Sequence, residues 1–188
     1  MIFSCIIPAK DLSDPKLKDL ITSIRSQEFP QDQIETIVVT EGDSEQAKAI
    51  GIRQARGEIC AMFCADNLIT IKYLFPVVYS MLSMDDTLTG VYTKYYQYVR
   101  EANSLDRYFA LIGGNDLIPI WLRKSDRKSW YDYDEDELLS CVSFSYKVPS
   151  LGCNGFFYRT DRIRKADLNH YYPMDCAEDL RSIGHFVY

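Results

Sequence analysis

Positive charge is in short supply in this chain: 21 Lys and Arg stand against 27 Asp and Glu, a net charge of −6 over 188 residues. Nonspecific nucleic-acid binding needs clustered cations, so that class is disfavoured. Cysteine is sparse and scattered, with six residues and no Cys-x-x-Cys pair. Neither a zinc site nor a disulfide framework is indicated, and a reducing compartment suits the chain. No apolar run is long enough to span a bilayer, and no signal-peptide pattern opens the sequence. The expected location is therefore cytoplasmic, with any membrane anchor outside this sequence. Internal repeats and low-complexity tracts are also lacking. What remains fits one domain over residues 1–188, long enough to bury one sizeable core.

The first 67 residues are the most regular. Ile2-Phe3-Ser4-Cys5-Ile6-Ile7-Pro8 reads as a buried strand stopped by a proline, so the chain starts inside a sheet with no leader. Over 15–27 the apolar residues Leu17, Leu20, Ile21 and Ile24 follow helical spacing, with Ser13 or Asp14 as cap. A second strand, Ile34-Glu35-Thr36-Ile37-Val38-Val39, runs into the polar turn Thr40-Glu41-Gly42-Asp43-Ser44. Residues 45–56 read as a helix with Ala47, Ile50, Gly51 and Ala55 facing inward and Gly57 as its C-terminal cap. A third strand over 58–64, apolar as a strand buried on both faces must be, delivers Asp66 to its carboxyl end. Ligands of open parallel sheets bind at that edge. An acid there is either a ligand for a cation or the N-cap of the next element.

These segments together resemble the nucleotide-sugar half of family 2 glycosyltransferases with the GT-A fold, in register over residues 2–67. Similar enzymes carry a Pro-x-Asn-like turn after the first strand, an acidic pair with Gly-Ser after the second, an Asn-x-Gly-Ile-x-x-Ala-x-Gly-Glu helix and an Asp-x-Asp-like metal motif after the third. Here those positions read Pro8-Ala9-Lys10, Thr40-Glu41-Gly42-Asp43-Ser44, Ala49-Ile50-Gly51-Ile52-Arg53-Gln54-Ala55-Arg56-Gly57-Glu58 and Cys64-Ala65-Asp66-Asn67. The chain departs from the pattern at three points. Thr40 replaces the first acid of the pair, Ala49 the usual Asn of the helix, and Cys64 or Ala65 a second metal carboxylate.

The resemblance implies an α/β fold: a GT-A-type mixed, mostly parallel central sheet flanked by helices, Rossmann-like in its N-terminal half. It also implies transfer of a sugar from a nucleotide-diphosphate donor to an acceptor hydroxyl with inversion, assisted by Mn²⁺ or Mg²⁺. Pro8, Ala9, Lys10, Glu41, Lys48, Ala65 and Asp66 would then hold the nucleotide, and Asp66 the metal. One carboxylate suffices for Mg²⁺ when phosphates and water complete its shell. The ion and Lys48 would meet the charge that develops on the leaving diphosphate. The segment "VPSLGCNGFFYR" resembles the part that lines donor and acceptor, through Gly152, Cys153, Asn154 and Gly155. Glu178-Asp179 matches the letters of the family's acidic motif, while Asp175 fits its spacing better. Asp175 and Asp179 are both candidates for the general base, with Glu178 beside them. On this reading residues 1–67 form a nucleotide-binding half, 68–147 a variable segment and 148–188 an acceptor and catalytic half. Similar enzymes continue beyond that point, so the sequence looks like a catalytic core cut from its C-terminal part. His185 reads as a strand residue rather than a metal ligand.

The middle matches the family only loosely. Residues 68–82 read as a helix interrupted near Pro76, 89–99 as a tyrosine-rich strand, and the acidic run 132–137 as a solvated loop. In 105–128, Tyr108, Phe109, Leu111, Ile112, Leu117, Ile118, Ile120, Trp121 and Leu122 precede Arg123, Lys124, Arg127 and Lys128. That order fits an ordinary core helix with a charged end. The same order is also that of a peripheral contact with the cytoplasmic face of an anionic membrane, which would make the acceptor a lipid or lipid-linked sugar. Two other classes stay open: a noncatalytic nucleotide- or partner-binding domain of the same fold, and a nucleotidyltransferase. The latter expects a glycine-rich phosphate loop after the first strand, where Pro8-Ala9-Lys10-Asp11 stands instead.

Overall fold

The computed structural model describes residues 1–92, 100–112, 132–135, 140–143, 155–165 and 185–187. Strand β1 (Phe3–Pro8) pairs in parallel with β2 (Ile34–Val39) on one side and β3 (Ile59–Met62) on the other. Beyond β3 the sheet takes in β7 (Phe156–Arg159), then β4 (Leu88–Tyr92), β8 (His185–Val187), β6 (Ser140–Ser143) and finally β5 (Asp132–Glu135). Only β7 and β6 run against the others among the described strands, so the sheet is mixed and mostly parallel.

Alternation along β1 sorts the helices into two layers. Phe3, Cys5 and Ile7 face Leu17, Leu20 and Ile24 of α1 (Pro15–Arg25) and Phe75, Val78 and Leu82 of α3 (Leu74–Met84). Ile6 points the other way, towards Gly51 of α2 (Ser44–Gln54), where any larger side chain would overlap it. The α1/α3 layer closes on Phe157, whose ring meets those of Phe3, Phe63 and Phe75 edge-on at 5.8–6.3 Å. Burying a side chain of that size contributes about 1.5–3 kcal/mol, so β7 is bound to the core by packing as well as by its ladder. Cys5 and Cys60 behave as small hydrophobes here: burial pushes the Cys60 thiol up to about 11 and Cys5 higher still, which leaves both neutral.

Several expected boundaries shift for physical reasons. Asp14 caps α1 by accepting the Lys16 amide at 2.9 Å, while Ser13 is engaged by Asp11. Pro76 interrupts nothing, because it lies in the first turn of α3, where its missing N–H is not needed. Residues 68–73 are an irregular strap rather than helix. Gly57 is not a left-handed cap; positive φ among the described glycines is confined to Gly42 and Gly155. A Cβ on Gly57 would come within 2.7 Å of the Phe3 and Ser4 backbone, so glycine is there for close approach. The α2 carbonyls are met instead by the Arg164 guanidinium, which donates to Ile52 and Ala55, at 2.5 Å in the latter case. Of the acidic run, Asp132–Glu135 form the outermost strand β5 instead of a loop; charges suit an unpaired sheet edge. His185 lies in β8, as a strand residue. A further helix, α4 (Ser104–Ile112), carries exposed Leu105 and Tyr108.

Candidate functional site

Because β1, β2 and β3 are parallel, their carboxyl ends share one edge of the sheet. Between the first two lies an open cleft of about 100 Å³, lined by residues 8–10, 39–44 and Ala47. The Ala9 amide donates to the Val39 carbonyl at 3.0 Å, extending the ladder past Pro8 and fixing the floor. The wall is the turn into α2. Gly42 adopts φ 73°, and a side chain there would collide with Gln46. Asp43 Oδ1 accepts the Gln46 amide at 2.8 Å while Gln46 Oε1 accepts the Asp43 amide at 3.1 Å, a reciprocal capping box. With that turn locked, Glu41 stands exposed on the rim facing the chain end of β1, where Lys10 is also exposed. The neighbouring Asp11 is held below the usual carboxylate range by the hydroxyl and amide of Ser13.

One strand over, the Phe63 amide donates to the Ile6 carbonyl at 3.1 Å and the chain turns. Asn67 closes that turn: its Oδ1 accepts the Cys64 amide and its amide donates to the Cys64 carbonyl, both at 2.9 Å. Ala65 and Asp66 form the tip, with Asp66 exposed. Asp66 does not cap α3, whose N-cap is Tyr73. Gly155, with φ 70°, donates its amide to the Met62 carbonyl at 3.1 Å and opens β7 at the same edge.

Pro8, Ala9, Lys10 and Glu41 therefore line one cleft, and Ala65, Asp66 and Gly155 follow along the same edge in the strand order β2-β1-β3-β7. From the β2 end to the β3 end is two strand spacings, roughly 10 Å. Lys48 behaves differently: its side chain is only 3% exposed and is not among the cleft's lining residues. Asp175, Glu178, Asp179, Gly152, Cys153 and Asn154, with residues 113–128, lie outside the described residues.

Among the described residues no group of three or more His, Cys, Asp or Glu gathers to hold a metal. Among the described residues the turn after β3 offers one carboxylate, that of Asp66. It fits a hard divalent ion that takes its remaining oxygens from phosphates and water, and does not fit a closed protein cage. Two supports escaped the reading of the sequence, the Asp43–Gln46 box and the Asn67 lock. The first had a visible signal in the spacing Asp-x-x-Gln.

No family model matches the chain, and no curated protein matches it. Solved structures do. S. aureus TarS (residues 1–349) superposes with TM-score 0.57 at 16% identity, covering 89% of this chain and 49% of that one. The same protein in complex with UDP gives 0.53 at 14%, covering 97% and 54%. The mannosyltransferase PcManGT from Pyrobaculum calidifontis, in complex with GDP-Man and Mn²⁺, gives 0.58 at 15%, covering 96% and 51%. The chain thus spans about half the length of these structures. At such identities the likeness is one of fold alone: the chain shares the mixed, mostly parallel sheet architecture of these structures, a mannosyltransferase among them.

Proposed function

We propose that the chain transfers a sugar from a nucleotide-diphosphate donor to an acceptor hydroxyl with inversion, assisted by Mn²⁺ or Mg²⁺. The observation that carries this is the alignment along one sheet edge of a cleft rimmed by Glu41, the Asp66 turn and the glycine start of β7. The cleft's 100 Å³ is small beside the ~300–1,000 Å³ of a typical ligand pocket. It holds a base-sized fragment, and the diphosphate and sugar extend along the open edge towards β3. Glu41 takes a hydrogen-bond donor of the base, and Lys10 offsets phosphate charge. Buried as it is, Lys48 acts at most through the local field of α2.

Asp66 holds the divalent ion together with the donor's own phosphates. The ion's chemistry is to neutralise charge on the leaving diphosphate. Gly155, preceded by Gly152, Cys153 and Asn154, lets backbone approach the donor sugar. Asp175 or Asp179, beside Glu178, takes the proton of the attacking hydroxyl. The acceptor is a sugar or a lipid-linked sugar, reached at the cytoplasmic face of a membrane through 105–128; Leu105 and Tyr108 are exposed, as that contact requires. Structural neighbours in complex with UDP, UDP-GlcNAc and GDP-Man with Mn²⁺ support the donor class.

Thermal-shift measurement with UDP and GDP, with and without Mn²⁺, tests the reading. One of them raises the melting temperature only when metal is present. A flat response to both under both conditions overturns the donor site.

A further inference from the structure

The strap between Asn67 and α3 has no regular secondary structure, yet the last turn of α1 and the bend after it tie it down along its length. The Ile69 amide donates to Ser23 Oγ at 3.3 Å, Gln27 Nε2 donates to the Ile71 carbonyl at 2.7 Å, and the Glu28 amide donates to the Lys72 carbonyl at 2.7 Å. The other end of the Gln27 carboxamide is used as well: its Oε1 accepts the Phe75 amide at 3.3 Å. Tyr73, the N-cap of α3, makes no side-chain capping bond. Gln27, in the bend that follows α1, therefore supplies the acceptor that the first turn of α3 would otherwise lack. Its side chain is buried, at 4% exposure, so these bonds are not exchanged for water and the amide is held in one orientation.

Asp66 sits between two clamps. Asn67 closes the 64–67 turn around it by binding Cys64; further along, Gln27 fixes the strap at Ile71 and the start of α3. A metal site with a single protein carboxylate has no second acid to compensate if that carboxylate wanders, so its affinity follows the placement of one loop.

We propose that Gln27 is a positioning residue for Asp66, setting through the 69–75 strap how tightly a divalent ion and nucleotide are held together. The inference rests on Asp66 being the metal carboxylate. Without the carboxamide, the Ile71 carbonyl and the Phe75 amide lose their buried partner and the strap gains freedom beside Asp66.

The experiment uses the full chain with Gln27→Met, close in length but without both bonds, and with Ser23→Ala, which releases the Ile69 amide and, within α1, the bond of Ser23 Oγ to the Leu20 carbonyl. Mn²⁺ is titrated at a fixed concentration of UDP or GDP, whichever stabilises the wild type, and free Mn²⁺ is followed by electron paramagnetic resonance. Gln27→Met should raise the Mn²⁺ concentration for half-maximal effect severalfold, below the roughly tenfold to hundredfold loss found when a group bonded to a metal ligand itself is removed. Without metal, variant and wild type should respond to nucleotide alike. Ser23→Ala should show a smaller rise, about threefold, and decides the matter if Gln27→Met does not fold. A lower melting temperature with an unmoved Mn²⁺ midpoint makes Gln27 a core amide only and overturns the proposal. Wild-type protein with no metal-linked nucleotide response sinks the donor reading and this proposal together, whereas a responsive wild type matched by both variants sinks this proposal alone.

Discussion

The Gly155 amide donates to the Met62 carbonyl at 3.1 Å, so a residue from late in the chain meets β3 four positions before Asp66. That bond, with the β3–β7 ladder that follows it, holds Gly155 at the edge where the early acid stands. The donor-lining and metal roles proposed for the two segments depend on it.

Asp66→Asn should remove the metal-dependent part of nucleotide binding and spare the rest. A tenfold or greater loss of affinity corresponds to about 1.4 kcal/mol or more of ligand-linked stabilisation at saturating nucleotide. The check is the melting-temperature rise with UDP or GDP in Mn²⁺, compared with the metal-free value. Equal rises in variant and wild type would favour a noncatalytic nucleotide-binding domain.

At the opposite edge, Glu35 gathers Ser4 Oγ and the Arg56 amide at 2.6 Å each, and the Arg56 guanidinium at 2.7 Å. Burial opposes its ionisation, but these donors outweigh burial and hold the carboxyl below its ordinary value of 4.5. A lowered folded pKa contributes stability that is present above the ordinary value and lost as pH falls through the folded one. Urea midpoints measured from pH 7 down to pH 3 should therefore fall below about 4.5 in the wild type. Glu35→Gln should start roughly 1–2 kcal/mol lower at neutral pH, because charged hydrogen bonds are lost while Arg56 is largely exposed. Its profile should be flatter in the acid window.

Gly57→Ala should destabilise by about 1–3 kcal/mol, since the added methyl meets the Phe3 and Ser4 backbone rather than a yielding side chain. Chemical denaturation measures it. A neutral effect would mean that α2 is free to retreat from β1.

Arg164→Ala should cost about 1 kcal/mol by leaving the carbonyls of Ile52 and Ala55 without their guanidinium. Arg164→Lys should recover only part, because an ammonium interacts with the helix dipole but cannot fork between carbonyls. Denaturation midpoints of the three proteins order the two contributions.

How legible the molecule is from its sequence depends on the range of the forces involved. The first three strands and two helices can be read because apolar spacing and polar turns are local signals: Ile34–Val39 emerges with the expected bounds. Phe156–Arg159 cannot be read as a central strand, because its place between β3 and β4 comes from pairing with residues 59–62 and 90–92, far away in the chain. Gln27 looks like one more polar residue at a helix end. Its partners, Ile71 and Phe75, are neighbours only once α1 and α3 lie side by side. Asp66 is legible at a strand end, but the choice between cap and ligand needs the start of α3 to be seen at Tyr73.

β7 completes the sheet from the inside, lodged between β3 and β4. During synthesis both neighbours therefore emerge from the ribosome tens of residues before the strand that separates them. Until residue 159 is free of the exit tunnel, two apolar strands carry unsatisfied backbone edges, open to pairing with another chain for that interval.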